Sequence, residues 1–395
     1  MRLALLAWAF SHLPWATADV AGYTHMVRQS DAGFYPFVHF WMEYPPAFPL
    51  LAVALYRAVS LLPVSDPAAI FVPGYALAMS GVELVNVALV HRLSRRAHGP
   101  SAAGVAVLIY AACPVPVWFA LGWFDALAVL TLLGGLLLVL KGRAAPAGIV
   151  VALGTLTKLF PIVLLLVLPA ALGRRGTARF VLALVATGLA VVVPLLVTRA
   201  DLLLASFQSF LTRPPWETIP ALLLRSYSFP ILVPIEDRFT AATAVSPVSR
   251  WSALALVPQA ALGLAAWRAW RFGRTRRAQP FDLCLVAALG VASLLLGSCG
   301  FSPQFVVWLL PLIVVVWPNR VGLAYTALFS AHCLVYYLVV APAIAGYYAF
   351  HTVPLEWVAL VSWLSVAART LLLLAVVGHL TAISCQRSAI SKRAV

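Results

Sequence analysis

Residues 19–46, DVAGYTHMVRQSDAGFYPFVHFWMEYPP, form the one long stretch with polar character in the first third of a very apolar chain. The stretch holds Asp19, Asp31 and Glu43, three of the twelve acidic residues, beside two histidines and many aromatic residues. It follows a first apolar run and ends in Glu-Tyr-Pro-Pro, which opens a second one. Because carboxylates are costly inside a bilayer, this pattern predicts a loop outside the membrane, residues 18–68, that carries acid–base chemistry.

The composition indicates a membrane protein. Of the 395 residues, 63% are hydrophobic and only 10% are charged, against about 25% charged residues in a soluble domain. The net charge of +15 does not indicate nucleic-acid binding, because the basic residues stand in short clusters between apolar runs. Such clusters mark the cytoplasmic side of a polytopic protein. The five cysteines are odd in number and lie mostly in apolar runs, so we expect no disulfide framework.

Hydropathy and the basic clusters together predict an all-α polytopic protein, one transmembrane unit over residues 1–395, with both termini in the cytoplasm. The twelve predicted spans are about 2–17, 69–91, 101–120, 124–140, 145–158, 160–173, 180–198, 251–270, 283–299, 304–317, 321–341 and 356–382. A cleaved signal peptide is the alternative for the first span, since Ala16-Thr17-Ala18 follows the apolar run. Most acidic residues then fall at the outer face, so the chemistry is expected there.

Two segments are apolar without being assigned as spans. If residues 47–62 crossed the membrane, the cluster Arg92, Arg95 and Arg96 would lie outside, against the positive-inside rule. We therefore expect 47–62 to lie in the outer interface. Residues 199–250 are predicted to form a second large outer loop, with interfacial helices at 202–210 and 219–224.

A lysine marks the junction of two short spans. The runs 145–158 and 160–173 meet at Thr157-Lys158-Leu159-Phe160-Pro161, and each is about 21 Å long as a helix, against a hydrocarbon core of roughly 30 Å. The junction is thus expected below the outer surface. An intramembrane cation needs an anion, and a lipid phosphate is the natural candidate.

These pieces, in this order, resemble the GT-C superfamily of glycosyltransferases that use polyprenyl-phosphate sugars, in particular glycosyltransferase family 87 and the catalytic subunit of GPI mannosyltransferase I. The resemblance rests on Asp19 with Tyr23, on Glu43-Tyr44-Pro45-Pro46, on Gly122-Trp123-Phe124-Asp125, on the turn from Lys158 to Pro161, and on SPQFVVWLLP at 302–311.

The resemblance implies a GT-C-like fold of many transmembrane helices, with interfacial helices in the first outer loop. It implies transfer, with inversion, of a hexose, mannose by default, from a polyprenyl-phosphate sugar to a hydroxyl of a glycolipid or glycan acceptor at the outer face of the cell membrane. By matched position Asp19 is the expected base, with Asp31 as the runner-up.

Other residues are expected to bind substrate. Lys158 is expected to hold the donor phosphate and Arg225 to be a second phosphate ligand. Gln304 could bond the sugar or phosphate, or only a neighbouring helix. Glu43, followed by Tyr44, could orient the acceptor, or could form a salt bridge with Arg28 or Arg57.

The sequence lacks several motifs of other chemistries. It has no H-E-x-x-H, no clustered His and Cys ligands, no Asp-x-Asp in the first outer loop and no P-loop. We therefore predict no metal and no cofactor, membrane lipids and the two substrates as partners, and no nucleic acid. The alternative is a secondary transporter or lipid flippase. It is disfavoured because only Glu83 falls near the middle of a span and no internal repeat is visible.

Overall fold

The computed structural model describes residues 18–227, 233–244 and 279–393. The predicted spans 2–17 and 251–270 lie outside these residues, and so does the choice between a first span and a cleaved signal peptide. Helices dominate the described part of the chain, where no strand is formed and only two isolated bridges occur, Pro36 with Phe40 and Trp216 with Gly300. The predicted all-α class is confirmed for this part of the chain.

The helices follow one another with short connections. The α-helices are α1 (Ala18–Arg28), α2 (Ala47–Val59), α3 (Pro67–His98), α4 (Pro100–Ala112), α5 (Pro114–Gly122), α6 (Asp125–Leu140), α7 (Ala144–Thr157), α8 (Leu168–Ala171), α9 (Gly173–Thr212), α10 (Ile219–Leu223), α11 (Pro280–Gly297), α12 (Val306–Val316), α13 (Arg320–Val335), α14 (Ala341–Tyr348) and α15 (Leu355–Arg393). Short 3-10 helices cover Gln29–Ala32, Phe160–Val167, Ile235–Asp237, Ala241–Ala244 and Pro303–Phe305, and a π-helical turn, Tyr336–Val340, joins α13 to α14.

Proline and capping residues set many of these boundaries. Asp66 caps α3, since its carboxylate accepts a hydrogen bond from the Ala68 amide at 3.0 Å while Pro67 occupies the first helical position. Prolines also open α4 and α5, where a missing amide hydrogen leaves no helical bond unmade.

Some of the predicted spans correspond to helices that are long enough to cross a membrane. Within the described residues, five helical stretches are long and apolar enough to cross a membrane: Pro67–His98, Gly173–Thr212, Pro280–Gly297, Arg320–Tyr348 and Leu355–Arg387. The helices α4 and α5, bent by 53°, make a sixth if they count as one broken span. The polytopic membrane character therefore stands, whereas the predicted number of twelve spans is not confirmed. The predicted spans 124–140, 145–158, 160–173 and 304–317 contain helices too short to qualify.

The short helices lie in the centre of the molecule. Every residue of α12 is buried, and α12 packs with α6, α7, α11 and the 3-10 helix Phe160–Val167 in one large apolar core. Because neighbouring helices cover these segments, they can be shorter than the bilayer without exposing their ends to lipid. This arrangement brings the ends of α6 and α7 together.

The first loop forms a second apolar cluster. It joins buried side chains of α1, α2 and the first half of α3, among them Tyr23, Phe48 and Tyr75, with Phe124, which precedes α6. Helix α2 has 13 residues, about 20 Å, which is shorter than a bilayer core. Its predicted position in the outer interface remains a prediction.

The predicted second loop is also helical in part. The helical run Gly173–Thr212 contains a break at Arg199, whose backbone is non-helical (φ −152°, ψ 76°). Helix continues beyond this break to Thr212, and α10 follows at Ile219–Leu223. The apolar stretches at 202–210 and 219–224 thus lie largely on helices, as predicted, while the side of the membrane on which they lie remains a prediction.

Candidate active site

Lys158 stands at a break between two helices. Helix α7 ends at Thr157, Lys158 has an extended backbone (φ −153°, ψ 137°), and a 3-10 helix begins at Phe160. Pro161 lies in the first turn of that 3-10 helix and could not lie inside α7 without removing a helical hydrogen bond. The break turns the lysine side chain to the start of α6.

The partner of Lys158 is a carboxylate of the protein itself. The Lys158 Nζ atom lies 2.7 Å from both Oδ1 and Oδ2 of Asp125, the first residue of α6. The indole N–H of Trp308 donates to Oδ1 of the same carboxylate. The Asp125 side chain is only 1% exposed and that of Lys158 is 14% exposed. The lipid phosphate suggested by the sequence is therefore not needed to neutralise this cation.

Aromatic rings surround the ammonium group of Lys158. Its Nζ atom lies 4.7 Å from the ring centre of Phe124, 5.2 Å from that of Phe305 and 5.5 Å from that of Trp308. The Trp308 ring stacks between those of Phe160 and Phe305, with centroid distances of 4.2 Å to each. These ring faces favour a cation and exclude water. The ammonium is therefore held in a fixed position.

Asp19, at the start of the described chain, also belongs to this group of residues. It lies in the first turn of α1, where the helix dipole favours an anion. Burial raises the pKa of the Asp19 carboxyl, and the charge of Lys158 lowers the pKa, while Glu43 and Asp125 raise it further. The net shift is upward, so Asp19 binds a proton more readily than an ordinary aspartate.

Glu43 pairs with a residue that the sequence did not suggest. Its carboxylate accepts a hydrogen bond from Arg238, and both side chains are less than a tenth exposed. The expected partners are engaged elsewhere, since Arg28 pairs with Asp66 and Arg57 with Asp31, each at 3.2 Å. Glu43 thus forms a salt bridge, but Arg28 and Arg57 were the wrong partners, because Asp66 and Asp31 lie closer to them.

Tyr44 connects the Glu43 pair to the Lys158 site. Its ring meets that of Phe124 edge-on, with centroids 5.0 Å apart, and also contacts Tyr23 at 6.1 Å. Burial raises the pKa of the Tyr44 hydroxyl well above its usual range, and the charges of Asp19 and Glu43 add to the effect. Tyr44 therefore stays neutral and can donate a hydrogen bond beside these two acids.

Asp31 has structural partners. Its carboxylate accepts a hydrogen bond from the Tyr56 hydroxyl at 2.6 Å and from Arg57 at 3.2 Å. Both partners lie on α2, and the Asp31 residue is exposed at the surface. These contacts tie the turn after α1 to α2, as expected of a residue that shapes a turn.

Arg225 and Gln304 differ in how they relate to the Lys158 site. Arg225 follows α10, is exposed, has a left-handed backbone (φ 56°) and forms no ion pair within the described part of the chain. Gln304 lies half-buried in the 3-10 helix Pro303–Phe305, next to the Phe305 ring that faces Lys158. The geometry thus brings Gln304 near the site and offers no contact that ties Arg225 to it.

Asp125, Trp308 and Arg238 are the members of the site whose roles the sequence did not reveal. The position of Asp125 in the sequence could have indicated its role. Asp125 is the first residue of α6 and Lys158 directly follows α7, and two consecutive antiparallel helices bring the start of the first beside the end of the second. Glu83, also buried, accepts a hydrogen bond from Asn86 at 3.0 Å. Among the described residues no three His, Cys, Asp or Glu side chains are placed to hold a metal ion.

The comparisons with known proteins bear on this site. No curated protein matches the chain, and the resemblance to the catalytic subunit of GPI mannosyltransferase I stays a prediction. The family model described as glycosyltransferase family 87 matches residues 41–299, which include Glu43, Tyr44, Asp125 and Lys158. The match covers more than half of the 395 residues. The chain therefore belongs to glycosyltransferase family 87.

Proposed function

We propose that this protein transfers a hexose, with mannose as the expected sugar, from a polyprenyl-phosphate sugar to a hydroxyl of a lipid or glycan acceptor. The transfer inverts the anomeric configuration and takes place at the extracytoplasmic side of the cell membrane. Membership of a glycosyltransferase family disfavours the transporter or flippase that the sequence left as the alternative.

The observation that supports this proposal most directly is the meeting of Asp19 and Lys158. The two residues are far apart in the sequence, yet Lys158 acts electrostatically on the Asp19 carboxyl. Glycosyl transfer from a lipid phosphate needs a base for the incoming hydroxyl and a fixed cation for the leaving phosphate. An acid and a cation of these kinds, close enough to interact electrostatically and with aromatic rings around the lysine, support the proposal.

The proposed step follows from these positions. The acceptor oxygen attacks the anomeric carbon of the donor sugar while Asp19 takes the hydroxyl proton, a new glycosidic bond forms, and the bond to the phosphate oxygen breaks. The phosphate leaves with the bonding electron pair, and Lys158 stabilises its added negative charge. A lysine ammonium has three N–H donors and the Asp125 carboxylate engages at most two, so one remains for the phosphate. Glu43 and Tyr44 are proposed to bind the acceptor, and Gln304 the sugar.

Asp125 is not proposed as the base, although it is the nearest acid to Lys158. Its carboxylate is buried and already accepts from Lys158 and Trp308, so an acceptor hydroxyl cannot reach it. Asp19 is partly accessible, and its raised pKa makes its carboxylate a stronger base than an ordinary aspartate.

The experiment that tests the function supplies the purified protein with a panel of polyprenyl-phosphate sugars and measures release of polyprenyl phosphate. We expect release with one sugar, mannose first, and its acceleration by an added lipid or glycan acceptor. The Asp19→Asn variant serves as the matched control. Release from a nucleotide sugar, or none from any polyprenyl-phosphate donor, would remove the proposal.

The proposed orientation has its own test. Residues 18–68 and 199–250 are proposed to face the outside, with both termini in the cytoplasm. A cysteine introduced at Ser65, between α2 and α3, should react with a membrane-impermeant reagent applied to intact cells. Labelling only after permeabilisation would reverse the orientation of this loop.

A further inference from the structure

A second buried cation lies away from the Lys158 site. Arg369, in the middle part of α15, is only 3% exposed. Its guanidinium lies over the Phe301 ring, 3.8 Å from the ring centre, and donates a hydrogen bond to the main-chain oxygen of Glu217. A charged group at this depth of a membrane-spanning helix is costly unless an anion accompanies it.

The nearest acid does not provide that anion in full. One carboxylate oxygen of Glu217 accepts from the Tyr336 hydroxyl at 2.6 Å, and the other has no hydrogen-bond partner among the described residues. Within the described part of the chain Arg369 forms no ion pair shorter than 4.0 Å. Burial raises the pKa of Glu217 to about 7, so its carboxyl is only partly ionised near neutral pH. Among the described residues, the positive charge of Arg369 is therefore balanced only in part.

Arg369 lines an open cleft of about 260 Å³. The cleft lies between the end of α11 and the middle part of α15. Thr218, Ser298 and Thr370 also line the cleft, each with its hydroxyl donating to a main-chain oxygen of the protein. Leu295, Leu373 and Leu374 supply an apolar wall. Leu374 is 49% exposed, so the cleft is continuous with the outer surface of this apolar helix.

We propose that this cleft binds an anionic membrane phospholipid, with its phosphate on Arg369 and one acyl chain along the leucine wall. The planar guanidinium can donate two parallel hydrogen bonds to phosphate oxygens, an arrangement that suits arginine better than lysine. The leucines bury the hydrocarbon of the acyl chain. The bound lipid supplies the negative charge that Glu217 does not.

This site is separate from the proposed donor site. Arg369 lies over the Phe301 ring and Lys158 over the Phe305 ring, the two ring centres are 5.6 Å apart, and Lys158 does not line the cleft. The lipid proposed here is therefore a second ligand beside the donor, and its binding does not depend on whether sugar transfer occurs.

A competition experiment tests the proposal. A fluorescent phosphatidylglycerol is bound to the purified protein in a neutral detergent and is displaced by unlabelled phosphatidylglycerol, phosphatidylcholine, polyprenyl phosphate or inorganic phosphate. We expect phosphatidylglycerol to displace it at least about tenfold better than phosphatidylcholine, because only the former carries a net charge. Inorganic phosphate lacks the chain and should not displace it.

Two outcomes of that competition overturn the proposal. Equal displacement by phosphatidylcholine would mean that the charge of Arg369 is not used. Displacement by polyprenyl phosphate as effective as by phosphatidylglycerol would assign the cleft to the donor lipid instead.

Variants locate the bound lipid. Leu374→Trp fills the apolar wall while leaving Arg369 in place, and Arg369→Gln removes the charge. Both should weaken phosphatidylglycerol binding about tenfold or more. Leu371→Trp is the matched control, because Leu371 lies on the same helix, is 66% exposed and is not part of the cleft. If Arg369→Gln does not fold, Leu374→Trp decides alone, and wild-type affinity in that variant refutes the site.

Discussion

Lys158 and Arg369 are both cations buried among apolar helices, yet their surroundings differ. The Lys158 ammonium lies 2.7 Å from both oxygens of Asp125, whereas Arg369 has a main-chain oxygen and an aromatic ring. The 301–305 segment supplies a phenylalanine ring to each. A cation paired inside the fold is fixed before any substrate arrives, while an unpaired one depends on what the membrane provides. The first arrangement suits catalysis and the second suits lipid binding.

The largest effect is expected at the base of the first site. Asp19→Asn keeps the size and polarity of the side chain but cannot take up the acceptor proton. We expect kcat to fall about 10²- to 10⁴-fold, with donor affinity nearly unchanged, because the phosphate contacts lie at Lys158. Single-turnover transfer and donor binding are measured separately at matched expression. Full activity of this variant would mean that another residue is the base.

The ion pair itself should be visible in stability. Asp125→Asn and Lys158→Met each leave one buried charge without its partner, which lowers the free energy of unfolding by about 3–5 kcal/mol. The double variant leaves neither charge and should recover most of that loss. Denaturant titration in detergent measures the free energy of unfolding of the wild type, the two single variants and the double variant.

The double variant also separates structure from function. We expect it to be folded and stable but unable to bind the donor phosphate. Normal donor binding by this variant would show that the pair serves only to hold α6 and α7 together.

The second cluster should give stability a pH dependence. The pKa of Glu217 is raised by burial from an ordinary 4.5 to about 7, so the folded protein keeps a proton that the unfolded chain loses between these values. Stability should therefore fall as pH rises from about 4.5 to 7, by about 3 kcal/mol from this group. Glu217→Gln should flatten the profile, whereas Glu236→Gln, at an exposed site, should not. Identical profiles for the wild type and Glu217→Gln would contradict the raised pKa.

A single substitution of Lys158 should be enough to change the affinity for the donor. Lys158→Ala removes the phosphate ligand and should weaken donor affinity about tenfold to a hundredfold. Lys158→Arg should restore it only in part, because the guanidinium is larger than the ammonium and the surrounding rings leave little room. Equilibrium binding of a labelled donor measures both variants. Unchanged affinity in the alanine variant would remove the phosphate role.

The smallest effect is expected at Asp31. Asp31→Asn weakens its contacts with Tyr56 and Arg57 at the surface and should lower kcat less than about tenfold, since exposed ion pairs contribute little. The same transfer assay is used as for Asp19→Asn. A severe loss here, with Asp19→Asn active, would move the base twelve residues along the chain.

The sequence predicted the class of fold well and the span count less well. Hydropathy identifies apolar helices, and each predicted span within the described residues does contain helix. Helix length does not identify spans where helices such as α12 are buried by protein on all sides. Such helices need not match the thickness of the bilayer.

Within the candidate site, residue types were easier to predict than pairings. Asp19 and Lys158 stand out because a carboxylate beside a first span and a lysine between short apolar helices are unusual. The Glu43–Arg238 pair could not be predicted, because it joins segments far apart in the chain. The Asp125–Lys158 pair could have been, since two consecutive antiparallel helices of similar length bring the start of the first beside the end of the second.

The shortness of α7 has a consequence for acceptor choice. With 14 residues, α7 is about 21 Å long, so in the proposed orientation Lys158 lies roughly 9 Å below the outer edge of a 30 Å hydrocarbon core. A donor lipid can then react without being lifted from the bilayer. The acceptor must instead reach down to that depth. The depth of Lys158 therefore favours slender or lipid-anchored acceptors over folded, bulky ones.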